Sequence, residues 1–315
     1  MYHVIINPAS RSGKGNRVWQ ELETVLKEEQ AQYTAHFTTQ AGDAKRFVEQ
    51  LTGMDTDEIT DILVMGGDGT LNESLQGIRN LEKTHLYYLP IGSGNDYGRD
   101  FPEKGKTVQR LRRMLREPHE YHTDIGAVRY RLDDGREQMR YFAVSCGIGF
   151  DAAVCAEVNE SAWKPRLNKI GLGKLVYLIV ALRNLMNVPQ NPCKLTIEDE
   201  HGQKAQITRK SIIFAAAMNH KYEGGGFMFA PQADAEDGLL DLCLVDNMPK
   251  LKILRVIPTA FKGKHVRYKE VHIHRAKRIH IATDDPMYLH ADGEVPGKTK
   301  ELTVLCLKQA LTLYM

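Results

Sequence analysis

The stretch that decides the fold is residues 61–81, DILVMGGDGTLNESLQGIRNL. It reads as a short apolar strand at Asp61–Met65, a turn with glycines around Asp68, and a helix at Leu71–Leu81. Glycine has no side chain, so the backbone of such a turn can come close to a phosphate group. Backbone N–H groups at the start of the helix also point towards an anion. The stretch therefore predicts a strand–turn–helix unit that binds a polyphosphate.

The same alternation of strand and helix extends on both sides of this stretch. Strands are predicted at His3–Asn7, Tyr33–Thr38, Asp61–Met65 and Leu86–Pro90, and helices at Asn16–Gln30, Ala41–Leu51, Leu71–Leu81 and Thr107–Arg116. Alternation of this kind builds a parallel sheet with helices on both of its faces. We therefore expect residues 1–125 to form an α/β nucleotide-binding domain.

Two more glycine-rich turns follow strands of this domain, at Asn7–Asn16 and Pro90–Arg99. The first is not a Walker loop, because Pro8 stands where that loop needs glycine. The carboxyl ends of parallel strands share one edge of the sheet, where open α/β sheets bind ligands. Nearby carboxylates could hold Mg²⁺, often through water, because Mg²⁺ prefers oxygen ligands. The candidates are Asp68, Asp96 and Asp124. Together these features suit a nucleoside triphosphate.

The pattern changes after about residue 125. A hairpin is predicted around Asp133–Gly135, and a helical insert at Ala152–Val188. Strands are predicted at Val128–Leu132, Gln138–Ser145, Cys193–Glu198, Gln206–Ala217, Leu239–Val245, Val271–Ile273, Arg278–Ala282, Met287–Ala291 and Glu301–Leu307, and one more helix at Leu251–Phe261. We expect residues 126–300 to form a mostly antiparallel β-sandwich domain. Residues 301–315 would add a C-terminal strand that could return to the first domain.

Composition excludes several classes of protein. The 315 residues carry 42 Lys and Arg against 40 Asp and Glu, a net charge of +2, which excludes a strongly basic nucleic-acid binder and an acidic disordered tail. No apolar run is long enough for a membrane helix. The N-terminus lacks the pattern of a signal peptide. The five cysteines form no C-x-x-C pair. These features predict a cytoplasmic protein.

The segment Lys250–Arg278 is much more basic than the average. It holds ten Lys or Arg residues and a single acid, Glu270. Such a stretch could rest on anionic lipid headgroups, which predicts peripheral membrane association. Only Phe261 and Tyr268 interleave with the basic residues, so we expect no nucleic-acid partner. The edges of a sandwich could also pair two chains into a homodimer.

Several motifs, taken together, resemble the diacylglycerol-kinase catalytic-domain family of lipid kinases. In order, they are Gly66–Thr70 with Asn72 and Glu73, Gly92–Asp96 with Arg99, Thr123–Gly126, Gly147–Asp151, Gly224–Pro231, Asp237–Asp241 and Asp292–Glu294. The resemblance implies a Rossmann-like nucleotide domain of the NAD kinase and diacylglycerol kinase type, followed by a β-sandwich. It implies phosphoryl transfer from ATP, with Mg²⁺, to a lipid hydroxyl. Diacylglycerol is the leading acceptor, and phosphatidic acid would be the product. A sphingoid or another lipid alcohol is also possible, because no acceptor pocket can be read from the sequence.

The candidate site residues follow from the turns and from this resemblance. The nucleotide would contact Asn7, Pro8, Ser10, Gly13, Gly15, Thr39, Gly66, Gly67, Asp68, Gly69, Thr70, Asn72, Glu73, Ser93, Gly94, Asn95 and Asp96. By the resemblance, a further metal would bind Asp234, Asp237 and the carbonyl of Leu239. The turn Asp292–Glu294 would carry the general base, which is either Asp292 or Glu294, because a lipid hydroxyl must lose its proton as it attacks. Asp68 is the third catalytic candidate.

Two other functions remain open. An NAD kinase-like enzyme also uses the sequence Gly-Gly-Asp-Gly-Thr, although the turns around Asn95 and Gly238 favour the lipid kinase. A non-catalytic lipid-binding protein could use the same scaffold, although the intact acids Asp68, Asp292 and Glu294 argue against it. Gly147–Ala152 fits a dinucleotide loop in spacing, but the segment Arg166–Lys174 lacks the acid that such a site needs. We therefore predict no NAD binding at that turn.

Overall fold

The structure is a computed structural model that describes residues 1–10, 15–53, 57–92, 95–103, 105–160, 180, 183 and 191–315. The chain divides into two units. Unit 1 consists of Met1–Asp124 and Gln309–Met315, and unit 2 consists of Ile125–Lys308. The last residues of the chain belong to unit 1 because Thr312–Tyr314 pair with the strand of that unit that contains His85–Tyr87.

Unit 1 is built on a parallel sheet. Its strands are β1 (Tyr2–Ile6), β2 (Tyr33–Phe37), β3 (Thr60–Gly66) and β4 (Thr84–Pro90), in the order β2-β1-β3-β4, and the end of the last strand, Thr312–Tyr314, pairs with β4. Its helices are α1 (Gly15–Glu28), α2 (Asp43–Thr52), α3 (Asp68–Gly77) and α4 (Thr107–Arg116), and a short 3₁₀ turn lies at Tyr97–Arg99. The predicted α/β domain with its strand–helix alternation is confirmed.

The core of unit 1 explains why these segments fold as they do. Apolar residues of β1 and β3, such as Val4, Ile6 and Leu63, pack with Trp19 and Leu22 of α1. The helical spacing of the α1 residues places them on one face. Helix α3 begins three residues before the predicted Leu71, because the backbone turns into the helix directly after Gly67. Asp68 thereby becomes the first residue of α3.

Unit 2 consists mostly of antiparallel strands. They are β5 (Glu120–Arg131, which begins in unit 1), β6 (Glu137–Phe142), β7 (Ser145–Gly149), β8 (Cys193–Glu198), β9 (Lys204–Arg209), β10 (Ile212–Met218), β11 (Leu240–Asp246), β12 (Val271–Ala276), β13 (Arg278–Ala291) and β14 (Glu294–Tyr314, which ends in unit 1). The helices are α5 (Phe150–Glu160) and α6 (Lys250–Ala260), and a 3₁₀ turn lies at Lys264–Arg267. The predicted mostly antiparallel second domain is confirmed.

Strands β10 and β11 are buried along their whole length. Ala215 and Ala217 of β10 pack into one apolar cluster, and Ile213 and Ala216 pack into another. Both faces of these strands are therefore covered, which is why their sequences are continuous apolar runs without alternation.

Several predicted strand boundaries were wrong. Gln138–Ser145 is divided between β6 and β7, and Glu301–Leu307 is only the middle of β14. The run Gln206–Ala217 contains two strands, β9 and β10, which are separated by Lys210 and Ser211. They are separate because β9 pairs with β8, whereas β10 pairs with β7. Conversely, Arg278–Ala282 and Met287–Ala291 are parts of one strand, β13, whose pairing with β14 shifts register between them. The predicted helical insert is described only in α5, at Val180 and at Arg183, and the rest of it lies outside the described residues.

In the part of the chain that the structure describes, no helix combines the length and the apolar character needed to cross a membrane.

Candidate functional site

The glycines of the first unit's turns have different roles. A side chain at Gly66 would lie 2.5 Å from the Cβ of Thr70, and one at Gly92 would lie 2.6 Å from the Cα of Gly67. At Gly92 the backbones of two turns meet, and at Gly66 the backbone packs against the side chain of Thr70, so neither position has room for a side chain. A side chain at Gly69 would meet nothing within 4 Å. Packing within the described residues therefore does not require glycine at position 69.

The first loop folds around the side chain of Asn7. Its amide donates to the hydroxyl of Thr70 at 3.1 Å, and its carbonyl oxygen accepts from the backbone of Ala9 at 3.0 Å. The backbone N–H of Ser10 donates to the carbonyl of Asn7 at 3.1 Å. The structure thus joins the Asn7 loop to the start of α3. Gly13 lies outside the described residues.

Asp68 and Asp96 meet at the carboxyl ends of β3 and β4. The backbone N–H of Asp96 donates to the Asp68 carboxylate at 3.0 Å, and the Asp96 carboxylate pairs with Arg99 at 3.0 Å. Asn95 has a φ of 52°, and its amide donates to the carbonyl of Gly92 at 2.9 Å. Two predicted loops are thereby brought together. Ser93 and Gly94 are not among the described residues.

Three further nucleotide candidates of unit 1 are Thr39, which lies just before α2, and Asn72 and Glu73 on α3. Asp43 accepts hydrogen bonds from the backbone and the hydroxyl of Thr39, both at 2.8 Å. These bonds hold the pKa of the Asp43 carboxyl well below its usual range. On α3, Asn72 is fully buried and Glu73 is half-buried. Thr39 therefore has a structural task that the sequence did not reveal.

Asp124 is fully buried and accepts a hydrogen bond of 2.6 Å from the backbone of Gln309. Among the described residues, the only three-residue group of Asp, Glu, His or Cys donors within 4.8 Å of one another lies elsewhere. Asp68, Asp96 and Asp124 therefore do not converge on one point. Their oxygen donors suit Mg²⁺, but all three could share an ion only with water between them.

In unit 2, the turn Asp292–Glu294 divides its two acids between different roles. Both carboxylate oxygens of Asp292 accept backbone N–H bonds, from Ala143 at 2.9 Å and from Val144 and Ser145 at 2.8 and 3.1 Å. Asp292 also has a left-handed φ of 50°. Its side chain thus clamps the segment between β6 and β7, whereas Glu294 is exposed.

The predicted metal residues Asp234, Asp237 and Leu239 lie in an acidic turn of unit 2. Asp237 accepts a hydrogen bond of 2.8 Å from the backbone of Leu239, and its other oxygen pairs with Arg275. Burial and the carboxylates of Asp237 and Asp234 raise the pKa of Asp241 to about 6. The carboxylates of Asp234, Asp237 and Asp241 do not all lie within 4.8 Å of one another, so this turn does not by itself bring together three carboxylate ligands for Mg²⁺.

The three-residue donor group is Asp151, Glu223 and His290, and sequence reasoning assigned it no role. The Nε2 atom of His290 lies 3.0 Å from the Asp151 carboxylate and 3.3 Å from the Glu223 carboxylate. Burial alone would lower the pKa of His290, but the two carboxylates outweigh it and raise the pKa to about 9. The group is a buried histidine held between two acids.

Asp151 and Glu223 line an apolar cavity of about 360 Å³ within unit 2. Its walls are mostly aliphatic and aromatic side chains of α5, β10 and α6 and of nearby segments, including Phe150, Ile213, Phe214, Val256, Phe229 and Phe261. Concave apolar cavities with a few polar groups are typical ligand sites. The cavity therefore suits a ligand with an apolar body and a polar group.

The sequence contained weak signals for this group. Asp151 follows the Gly147–Gly149 turn, and Glu223 precedes three glycines with positive φ values of 61°, 85° and 114°. His290 stands two residues before Asp292. No spacing rule connects residues so far apart in the chain, so only the fold could bring them together.

Comparison with known proteins agrees with both units. Residues 1–128 match the family described as "Diacylglycerol kinase catalytic domain", and residues 144–315 match the "YegS C-terminal NAD kinase beta sandwich-like domain". The chain is 30% identical over 298 residues to "Putative lipid kinase YtlR" of Bacillus subtilis, covering 94% of this chain and 93% of that protein. It is 29% identical over 254 residues to a diacylglycerol kinase of Mycobacterium tuberculosis, covering 81% of this chain and 75% of that protein.

Solved structures show the same fold. A crystal structure of a diacylglycerol kinase from Bacillus anthracis superposes with a TM-score of 0.68 at 20% identity and covers 100% of this chain and 96% of that one. Yeast NADH kinase superposes with a TM-score of 0.54 at 9% identity, covering 100% of this chain and 82% of that one. The family matches and the similarity along nearly the whole chain lead to one conclusion: the chain is a kinase that belongs to the diacylglycerol kinase catalytic-domain family.

Proposed function

We propose that the protein is an ATP-dependent lipid kinase that transfers the γ-phosphate of ATP to a lipid hydroxyl. The observation that carries the proposal is the apolar cavity of unit 2 with Asp151 and Glu223 in its wall. A small water-soluble acceptor would leave that apolar surface without a partner, whereas an acyl chain would fill it. Diacylglycerol, the substrate named for several relatives, is the first acceptor to test, with phosphatidic acid as its product.

In this proposal, the nucleotide binds at the glycine-rich turns of unit 1. The start of α3, and the lack of any described residue within 4 Å of a side chain added at Gly69, support a phosphate there. Mg²⁺ would bind through water to Asp68, Asp96 and Asp124 and would supply charge neutralisation of the phosphates. A second Mg²⁺ at Asp234, Asp237 and the Leu239 carbonyl would stabilise the acidic turn of unit 2.

The proton of the acceptor hydroxyl would pass to Glu294. Both oxygens of Asp292 already accept backbone hydrogen bonds, so that side chain is a poor proton acceptor and serves to hold the turn. Glu294 is exposed and follows directly in the same turn. We therefore propose Glu294, and not Asp292, as the base.

We propose that the protein reaches lipid in a membrane by binding the bilayer through the outer face of α6. The inner face of this helix lines the cavity with Ile253, Val256 and Ile257. Its outer face exposes Leu251, which is 79% accessible, and Leu254. Exposed cations follow at Arg255, Lys262, Lys264 and Arg267. Apolar residues next to cations favour binding to an anionic bilayer.

The test of the activity is ATP consumption by the purified chain over a panel of lipid alcohols and NAD, with and without Mg²⁺. We expect turnover that requires both a lipid and Mg²⁺. Phosphorylation of NAD alone would establish the NAD kinase-like alternative. If no acceptor supports turnover while the chain still binds lipid, the non-catalytic alternative holds.

The membrane proposal is tested separately by sedimentation with anionic vesicles. Reversing the charges of Lys262, Lys264 and Arg267 should weaken binding, and adding salt to the wild type should do the same. Reversing three exposed charges far from α6 in the sequence, at Lys194, Lys204 and Lys298, is the control. Equal losses in both variants would remove the assignment of this face.

A further inference from the structure

The side chain of Asp43 is a buried anion in the first turn of α2. Its Oδ2 atom accepts hydrogen bonds from the backbone N–H groups of Thr39 and Gln40 at 2.8 and 3.1 Å, and its Oδ1 atom accepts one from Arg46 at 3.0 Å. These donors favour the ionised form, which is why the pKa of the Asp43 carboxyl lies well below its usual range. Asp43 is therefore a carboxylate that can only accept hydrogen bonds.

This carboxylate decides where the hydroxyl of Thr39 directs its hydrogen. Oγ1 of Thr39 lies 2.8 Å from Oδ2 of Asp43. A hydroxyl has one hydrogen to donate and two lone pairs that accept. Because the carboxylate cannot donate, the hydrogen of Thr39 is used in this bond, and turning it away would place two acceptors against each other. The exposed Thr39 therefore offers only lone pairs to a ligand.

Thr39 follows β2 at the edge of the sheet where the glycine-rich turns of unit 1 also begin. The backbone N–H of Thr38 donates to the carbonyl of Ile6 at 2.9 Å, in line with the parallel pairing of β1 and β2. Ile6 is followed by Asn7, whose side chain donates to Thr70 of α3. Thr39 is thus near the loop and the helix start at which we propose that the nucleotide binds. Among the described residues, its hydroxyl has no hydrogen-bond partner besides Asp43.

The phosphates of a nucleotide are the wrong partners for this hydroxyl. Phosphate oxygens only accept hydrogen bonds at neutral pH, so they would face the lone pairs of Thr39 and the negative charge of Asp43. The nucleoside half of ATP does carry donors, which are the two ribose hydroxyls and the amino group of adenine. A contact between Thr39 and a nucleotide is therefore favourable only at the nucleoside half.

We propose, on the basis of the ATP-dependent function above, that Asp43 is a positioning residue for nucleotide selection. By holding the hydrogen of the Thr39 hydroxyl, it makes Thr39 an obligate acceptor. The site then requires a hydrogen-bond donor on the nucleoside, either a ribose hydroxyl or the amino group of the base. Thr39 is the specificity residue that contacts the nucleotide, and a nucleotide with an acceptor in place of that donor binds more weakly.

The test uses nucleotides in which one donor is replaced by an acceptor. Dissociation constants of ATP, inosine triphosphate, 2′-O-methyl-ATP and 3′-O-methyl-ATP are measured by titration calorimetry with Mg²⁺ and without a lipid. Inosine triphosphate has a carbonyl in place of the amino group, and each methyl ether lacks one hydroxyl hydrogen. We expect the wild type to bind at least one analogue about tenfold more weakly than ATP, which identifies the donor. Equal affinities for all four nucleotides would overturn the inference.

Substitutions at the two residues separate the contact from its orientation. Thr39→Val has no hydroxyl, so the difference in affinity between ATP and the weak analogue should shrink to about threefold or less. In Asp43→Ala the Thr39 hydroxyl can turn and donate to the analogue, so the difference should shrink as well. Asp43→Asn keeps a carbonyl that accepts from Thr39, so it should retain the difference. A difference that persists in Thr39→Val or in Asp43→Ala would contradict the inference.

A double variant checks that Asp43 acts through the Thr39 hydroxyl. Adding Asp43→Ala to Thr39→Val should change the affinity ratio no further. A further change would show that Asp43 acts on the nucleotide directly, against the inference. If Asp43→Ala fails to fold, Asp43→Ser takes its place, because a serine hydroxyl can donate to Thr39 as well as accept from it. It should also shrink the difference, and an unchanged difference would count against the positioning role.

Thr52→Val is the matched control on the same helix. Thr52 lies at the end of α2, and its hydroxyl donates to the backbone carbonyls of Val48 and Gly77 at 2.8 and 3.2 Å. The control removes a bonded threonine hydroxyl nine residues along the chain from Asp43, so the affinity ratio should stay at the wild-type value. A loss equal to that of Thr39→Val would assign the effect to the stability of α2 and overturn the inference.

The measurements also distinguish this inference from the proposed function. If no nucleoside triphosphate binds, the ATP-dependent function itself is refuted. If ATP binds and supports lipid phosphorylation while all four nucleotides have equal affinities, only the role of Thr39 and Asp43 is refuted. A purely structural Asp43 would lower the melting temperature of Asp43→Ala and leave the affinity ratios unchanged, which would also refute that role.

Discussion

The turn at residues 66–69 in unit 1 and the Asp151–Glu223–His290 group in unit 2 are built in opposite ways. The turn is a run of neighbouring residues, and its candidate ligand contacts are backbone groups at the start of a helix. The group in unit 2 joins side chains from positions 151, 223 and 290. A phosphate group is recognised by the same N–H dipoles in many folds, so a local motif can encode its site. An apolar ligand with a particular headgroup needs a cavity, and a cavity exists only after folding.

The largest expected effect is the loss of activity when the proposed general base is removed. It is tested by comparing substitutions of the two acids of the turn Asp292–Glu294. Glu294→Gln should lower kcat about 10²- to 10⁴-fold with little change in stability, because it removes a proton acceptor from an exposed side chain. Asp292→Asn should instead lower the melting temperature, because it weakens the clamp on Ala143–Ser145. Kinetics and thermal melts on both variants check this. A full loss of activity in a well-folded Asp292→Asn and full activity in Glu294→Gln would reverse the assignment.

The next effect is the pH dependence of stability caused by His290. Its folded pKa of about 9 exceeds the value of about 6.5 expected for an unfolded chain, so the stabilisation is fully present below pH 6.5. It is lost as the pH rises through 9, and the free energy of unfolding should fall by about 3 kcal/mol at most. Urea unfolding across this range measures the slope. His290→Gln should flatten the curve, and the exposed-site control His201→Gln should not.

A pair of glycine substitutions separates packing from ligand binding in unit 1. Gly92→Ala should destabilise the fold by about 1–3 kcal/mol, because the added methyl group meets the backbone of Gly67. Gly69→Ala should keep or raise stability, because the site is open and lies in a helix, yet it should weaken nucleotide binding if a phosphate occupies that space. Denaturation and nucleotide titration distinguish the two. Normal nucleotide affinity in Gly69→Ala would place the phosphates elsewhere.

The smallest effect concerns the outer face of α6. Leu251→Glu should weaken binding to anionic vesicles about three- to tenfold, because it replaces an exposed apolar side chain with a negative charge that an anionic membrane repels. Met139→Glu is the matched control, since Met139 is 49% exposed on β6. Thermal stability should not change in either variant. A control that loses as much vesicle binding as Leu251→Glu would show that the effect is not specific to α6.

Elements whose structure depends on neighbouring residues were predicted well, and elements that depend on pairing with distant residues were not. Helix Thr107–Arg116 and strand Cys193–Glu198 were predicted with their observed bounds, because periodicity is a local property. The division of Gln206–Ala217 into β9 and β10 was missed, because which neighbour a strand pairs with is decided by distant residues. The same holds for β13, whose two parts are joined by pairing with β14.

The amino-acid sequence by itself determined the α/β and antiparallel regions, the three glycine-rich turns and the family of the chain. Each of these depends on neighbouring residues or on motifs in a given order. Only the tertiary structure decided that Asp292 is a clamp, that Gly92 is packed whereas a side chain at Gly69 would meet no described residue, and that His290 holds Asp151 and Glu223 at an apolar cavity. The physical reason is that hydrogen-bond satisfaction, burial and pKa depend on atoms that are close in space and far apart in the chain.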